Sequence, residues 1–280
     1  MLTIAHLSDL HFSKISILPL SLKRFVGTAN LLITRKRSYI DTHLFKLPKL
    51  LKSLDVKNIL ITGDLSSTSL KKEFEKAKEF IDSFDENIKF FLIPGNHDTY
   101  TKKALKNSYF KNILKSQNIL DTKHKKIHFH NLSKNWVYIG LDTTLVTPIF
   151  SASGLFSKEM QIDLTAILDK IPKDKNIIIS NHFPIFYKAP KRKLLKRSNA
   201  LLEILKSYPN IKLYLHGHTH KSSIINKENL PIMICSGCSS HKKNASFNIL
   251  QIEDDKCVIQ SHVLKDNTWQ KDKENQFNFS

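Results

Sequence analysis

Short apolar runs recur along the chain, each about the length of a buried strand and separated by segments with a different rhythm. LTIAHL at 2–7, NILIT at 58–62, IKFFLI at 88–93, WVYIGL at 136–141, NIIIS at 176–180 and IKLYLH at 211–216 are nearly continuous in apolar, often β-branched residues. A strand with one wet face alternates apolar and polar positions, so unbroken runs predict strands covered on both faces. Between them, residues 69–84 place Leu70, Phe74, Ala77, Phe80, Ile81 and Phe84 on one face at helical spacing, which predicts an amphipathic helix. Residues 157–171 predict another, with Ser157 as its N-cap.

After residue 220 the texture changes to SSIIN, LPIMIC, SFNILQIE and KCVIQSHVL. These short strands are separated by turn-like Lys-Glu-Asn, Ser-Gly-Cys and Glu-Asp-Asp. The pattern therefore predicts α/β organisation first and mostly antiparallel β later, within one domain over 1–265. Residues 266–280 are polar and predict a poorly ordered tail, although Trp269, Phe277 and Phe279 offer it a means of docking.

Composition narrows this picture only at one point. The 280 residues are 41% hydrophobic and 25% charged, as in ordinary globular proteins. No apolar run approaches the ~20 residues of a membrane-spanning helix. Three cysteines, Cys235, Cys238 and Cys257, cannot all pair, and the expectation is a reducing cytoplasm. Cys235-Ser-Gly-Cys238 lacks the second pair of a zinc site and reads as a turn. The unusual number is a net charge of +19, from 44 basic against 25 acidic residues. Such an excess predicts an anionic partner: a phosphorylated substrate, an acidic membrane surface or nucleic acid.

The chemistry lies at the ends of the apolar runs. The first is followed by Asp9 and His11, two positions apart, which on an extended chain point the same way. Later runs end on Gly63-Asp64, on Gly95-Asn96-His97-Asp98, on Asn181-His182 and on His216-Gly217-His218-Thr219-His220. In an α/β sheet the carboxyl ends of strands are where ligands bind, so five such ends would meet along one edge. Oxygen and imidazole donors without thiolates suit Mn, Fe, Zn or Mg.

This order of motifs resembles the calcineurin-like metallophosphoesterase superfamily, over essentially the whole chain from residue 4 to about 264. The resemblance implies a four-layer α/β/β/α sandwich with two divalent metal ions, manganese foremost and iron, zinc or magnesium as alternatives. By matching positions, one ion takes Asp9, His11, Asp64 and His220, and the other takes Asp64, Asn96, His182 and His218, with Asp64 as the bridge. Two such ions share a hydroxide that attacks phosphorus. His97 resembles the family histidine that serves the leaving oxygen, with Asp98 setting its tautomer and orientation. His216 falls outside the motif and is read as a strand-end residue.

Three basic stretches follow three of the motifs and predict a cationic rim: Lys14 to Arg37, Lys102 to Lys115, and KAPKRKLLKR at 188–197. The first also spaces Leu22, Phe25, Val26, Ala29, Leu32 and Ile33 as an amphipathic helix. Lys23, Arg24, Phe25, Arg35, Lys191 and Arg192 are accordingly the expected substrate-binding residues. Basic, apolar inserts of this kind look like those of metallophosphoesterases that cleave UDP-2,3-diacylglucosamine in lipid A synthesis, giving UMP and a lipid phosphate at the inner membrane face. The better-known branch of those hydrolases has Arg at the position of His97, so the likeness is to a divergent branch. Three alternatives stay open: a cyclic-nucleotide phosphodiesterase, whose LITGDLSSTSLKKEFEKAKEFI and LIPGNHD segments are also similar; a nuclease; and a non-catalytic scaffold like the retromer subunit of this fold.

Overall fold

A computed structural model describes residues 1–13, 39–102, 106, 109–116, 126–148 and 151–279. Two six-stranded sheets pack face to face. The first runs β14-β13-β12-β1-β2-β3, from β1 (Leu2–Leu7), β2 (Asn58–Ile61), β3 (Lys89–Leu92), β12 (Ser246–Ile252), β13 (Lys256–Lys265) and β14 (Thr268–Asn278). The second runs β10-β11-β9-β7-β5-β4, from β4 (Ile127–Asn131), β5 (Trp136–Leu141), β7 (Asn176–Asn181), β9 (Ile211–His216), β10 (Ser222–Ile225) and β11 (Ile232–Ser236). A two-stranded ribbon of β6 (Gly154–Leu155) and β8 (Leu195–Lys196) lies outside them.

The unbroken apolar runs are explained by cover on both faces. In β1, Ile4 enters the layer between the sheets, while Ala5 and Leu7 face the outer helices. In β7, Ile178 points between the sheets and Ile177 and Ile179 point outward. Helices α1 (Leu47–Ser53), α2 (Lys71–Asp82) and α3 (Tyr109–Ser116) cover the first sheet with Leu51, Phe74, Phe80 and Ile113. Helices α4 (Lys158–Leu168) and α5 (Ser198–Ser207) cover the second with Leu164, Leu168 and Leu201. The α/β/β/α order is the predicted one.

Both predicted helices form, each shorter than its apolar pattern. In α2 the buried Glu73 carboxylate accepts the Leu70 and Thr68 amides at 3.0 and 2.9 Å, closing the N-terminus two residues inside the expected start. In α4 the Ser157 hydroxyl accepts the Met160 amide at 3.0 Å, the predicted cap.

The residues after 220 pair mostly antiparallel, as expected: β10 with β11, β12 with β1 and β13, and β13 with β14, while β11 runs parallel to β9. They divide between the sheets, β10 and β11 joining the second and β12 to β14 the first. One expectation is corrected: residues 268–278 are no poorly ordered tail but an edge strand paired along β13. Trp269 is buried, donating its indole N–H to the His43 carbonyl at 3.0 Å, and Phe279 packs on Trp136. The intervening residues 270–276 are exposed on both faces, so no alternation betrays them. Their charges suit a sheet edge that must not pair with another chain.

Candidate metal centre

The central parallel strands β1, β2, β3, β7 and β9 all deliver their carboxyl ends to one edge. Asp9 and His11 do not converge through strand alternation, as expected from their spacing. They sit in the loop after β1 with left-handed backbones, φ 55° and 45°. Asp64, His218 and His220 share that conformation, which costs a non-glycine residue roughly 1–2 kcal/mol. Neighbouring loops hold them there: the Asp9 amide donates to the Gly63 carbonyl at 3.0 Å and the His11 amide to the Asp64 carbonyl at 2.9 Å. At Gly217 any side chain would displace Ser8 and Asp9, because its Cβ would lie 1.8 Å from the Ser8 hydroxyl and 2.5 Å from an Asp9 carboxylate oxygen.

Seven predicted ligands meet in two overlapping groups. In the first, His220 Nε2 lies 2.9 Å from Asp9 Oδ1 and 3.1 Å from His11 Nε2, and His11 Nε2 lies 3.8 Å from Asp64 Oδ2. The donor atoms of Asp9, His11, Asp64 and His220 all lie within 4.8 Å of one another. In the second, Asn96 Oδ1 lies 3.2 Å from His182 Nε2 and 3.0 Å from His218 Nδ1, and His182 Nε2 is 3.5 Å from Asp64 Oδ2. Asp64 Oδ2 thus faces both groups, as a bridge must.

The donor set fits a pair of cations. Asp9 Oδ1 is buried and faces only imidazole nitrogens, His220 Nε2 at 2.9 Å and His11 Nε2 at 3.6 Å, while Oδ2 takes the Ser8 hydroxyl at 2.6 Å and the His218 amide at 3.0 Å. A buried carboxylate oxygen left this way is costly unless a cation meets it. Burial works to raise the Asp9 carboxyl, but the histidines around it, His220 foremost, outweigh this and hold it well below the usual range. Burial pushes His182 down, and with help from His182 it pushes His218 down to about 3. Their imidazoles are therefore neutral at pH 7, with lone pairs available to a metal.

Main-chain carbonyls orient the histidines of the second group. His182 Nδ1 donates to Thr62 O at 2.7 Å, and His218 Nε2 donates to Lys193 O at 3.0 Å. Thr62 and Lys193 escaped sequence reading because any residue supplies a carbonyl. The second contact also brings the 3₁₀ turn Lys191–Lys193 to the centre, with the exposed Lys191 and Arg192 on it. The other expected substrate-binding residues, Lys23, Arg24, Phe25 and Arg35, lie outside the described residues.

His97 is placed beside the centre, its ring 5.0 Å from that of His11 and stacked 5.6 Å from Tyr100. The role expected for Asp98 is corrected. Its carboxylate accepts the amides of Gly95, Leu65 and Ser66 and the Ser66 hydroxyl, at 2.8 to 3.1 Å, and none of these bonds goes to His97. Asp98 clamps the loop after β2 to the loop after β3, and burial raises its carboxyl to about 6 against those four bonds. The Ser67 carbonyl, 2.7 Å from His97 Nδ1, sets the tautomer instead. His216 is a strand-end residue as expected, buried, with Nδ1 3.2 Å from the Gly217 carbonyl. Cys235 and Cys238 are buried thiols lying near the Gly217 and Asp9 carbonyls at 3.6 and 3.1 Å. Burial pushes Cys235 up to about 11 and Cys238 higher still, so both are protonated supports of the ligand loops.

A family model for calcineurin-like phosphoesterases matches residues 2–222, a span that holds every one of these ligands. The chain belongs to that family. It is a metal-dependent phosphoester hydrolase, and the family works with a binuclear metal centre. Among curated relatives, a 3′,5′-cyclic-nucleotide phosphodiesterase of Nostoc is 25% identical over 222 residues, 79% of this chain and 72% of that protein. The 3′,5′-cyclic adenosine monophosphate phosphodiesterase CpdA of Haemophilus influenzae is 25% identical over 219 residues, 70% of this chain and 73% of that one. A dimetal phosphatase from Danio rerio superposes with a TM-score of 0.69 at 14% identity, over 100% of this chain and 99% of the other. That last likeness bears on the fold alone. Among the described residues, no helix is long and apolar enough to cross a membrane.

Proposed function

We propose that this phosphoesterase hydrolyses 3′,5′-cyclic nucleotides to nucleoside monophosphates. The observation that carries the reading is the complete ligand set with His97 beside it, in a chain whose relatives above bear cyclic-nucleotide phosphodiesterase names. The lipid-linked pyrophosphate expected from the basic insert gains no support from these relatives. Four of the six residues meant to bind it lie outside the described residues.

Asp9, His11, Asp64 and His220 would hold one divalent ion, and Asp64, Asn96, His182 and His218 the other. Bound there, manganese or a similar ion supplies an activated water and Lewis acidity toward phosphoryl oxygens. The ligands carry only two carboxylates against two divalent charges, so the site stays cationic for a phosphodiester. Lys191 and Arg192 add charge at the rim. His97, with its Nδ1 proton committed to the Ser67 carbonyl, exchanges protons through Nε2 and in its imidazolium form donates one to the leaving ribose oxygen. As the oxygen of water forms a new bond to phosphorus, the bond from phosphorus to the ribose oxygen breaks, and the proton from His97 leaves a hydroxyl on the sugar.

The test compares cyclic AMP, UDP-2,3-diacylglucosamine and bis-p-nitrophenyl phosphate with Mn(II) protein. Release of AMP well above the UDP-lipid rate is expected. Hydrolysis of the UDP-lipid without cyclic AMP turnover refutes the substrate assignment.

A further inference from the structure

Each histidine of the second ligand group is oriented by a main-chain carbonyl, and so is His97. His220, a donor of the first group, is treated differently. Its Nε2 points into the group, 2.9 Å from Asp9 Oδ1, and its Nδ1 lies 3.0 Å from the hydroxyl of Tyr39. Tyr39 is itself held from two sides. Its backbone forms an antiparallel bridge with His241, continued by the Ile40 amide donating to the Ser240 carbonyl at 2.9 Å. Its ring packs 4.9 Å from His11, 5.8 Å from His220 and 5.9 Å from His241.

An imidazole binds a metal through a nitrogen that carries no proton, so a ligand using Nε2 must keep its proton on Nδ1. Nδ1–H then needs an acceptor. A phenolic oxygen accepts as well as a carbonyl but belongs to a side chain, and it can be deleted without moving the backbone. We propose that Tyr39 is a positioning residue for His220. Its hydroxyl accepts the Nδ1 proton and so holds the Nε2 lone pair toward Asp9 and Asp64, completing the first ion site and leaving the second unaffected. The inference rests on the two-ion reading of the centre. His220 is also among the more open donors of the first group, with its side chain 27% exposed against 0% for Asp9 and His11. A second hydrogen bond therefore restricts this ring where packing alone does not.

Tyr39→Phe removes one oxygen and keeps the ring on His11 and His241. The experiment is titration of metal-free full-length protein with Mn(II), following unbound Mn(II) by electron paramagnetic resonance, beside thermal melts in EDTA. Wild type is expected to take two ions per chain. Tyr39→Phe is expected to bind one with wild-type affinity and the other about 10- to 100-fold more weakly, the usual cost of losing such a partner, with an unchanged melt in EDTA. Tyr39→Leu is expected to weaken the same ion and also to lower the EDTA melt, separating the hydroxyl from the ring. Two wild-type affinities in Tyr39→Phe overturn the proposal. So does equal weakening of both ions with a lowered EDTA melt, which marks a merely structural role. Wild type binding fewer than two ions overturns the two-ion reading itself and this inference with it.

Discussion

The two halves of the metal centre are built on different principles. The half made by Asp9, His11, Asp64 and His220 is anionic: it holds both carboxylates, and Asp9 Oδ1 is buried against imidazole nitrogens alone. Asn96, His182 and His218 in the other half are neutral donors, pre-aimed by the carbonyls of Thr62 and Lys193. Charge attracts a cation to the first half. In the second, geometry does most of the work, and Asp64 is its one charge. The first ion should therefore be the tighter, and the second the one that exchanges as substrate and product pass.

The largest effect expected is from Asp64→Asn, which removes the charge common to both halves. Metal content should fall from two ions per chain toward none, and hydrolysis of bis-p-nitrophenyl phosphate should fall about 10⁴-fold or more. Retention of both ions would dismiss Asp64 as the bridge. His97→Ala should keep both ions and lose about 10²- to 10⁴-fold in kcat, with less loss for an ester whose leaving group departs without a proton. Asn96→Ala sharpens the contrast, because it should weaken only the second ion, by roughly 10- to 100-fold on the scale of lost ligand-shell contacts. Equal weakening of both ions would show that the halves are not separate.

Acid should unfold the chelated protein through buried histidines that no ion holds. Burial pushes His6 down to about 3 and His216 down to about 4. Both stay neutral in the fold while the unfolded chain protonates them below its ordinary histidine value near 6.5. Stability is therefore full above that value and is lost as pH falls toward 4, by roughly 2 kcal/mol per histidine at pH 5. Asp98, raised to about 6 mainly by burial, acts in the opposite sense, since the fold binds its proton more readily than the unfolded chain does. Two histidines outweigh one carboxyl, so the melt in EDTA should drop between pH 7 and pH 5; a flat profile would contradict their neutrality. The smallest effect belongs to the rim. Lys191→Ala with Arg192→Ala should raise KM about 3- to 10-fold at low salt with little change in kcat, and the difference should shrink as salt screens the charges.

Much of this was legible in one dimension. Unbroken apolar runs announce strands buried on both faces, and Asp64, Asn96, His182 and the His218–His220 pair stand immediately after them. Sheet topology then leaves one edge where they can meet. The strand of residues 268–278 was hidden because its exposed positions carry no apolar period. Asp98 was misread because a carboxylate next to His97 in sequence is turned by the loop onto the amides of Gly95, Leu65 and Ser66.

By itself the amino-acid order determined which side chains offer donor atoms to a cation and which layers bury them, since residue chemistry and hydrophobic period are local properties. Tertiary structure alone decided how those ligands are aimed. Left-handed loop residues, the carbonyls of Thr62, Ser67 and Lys193, and the hydroxyl of Tyr39 act across the fold. A backbone carbonyl is present at every residue, so its role depends wholly on what the fold brings within 3 Å of it.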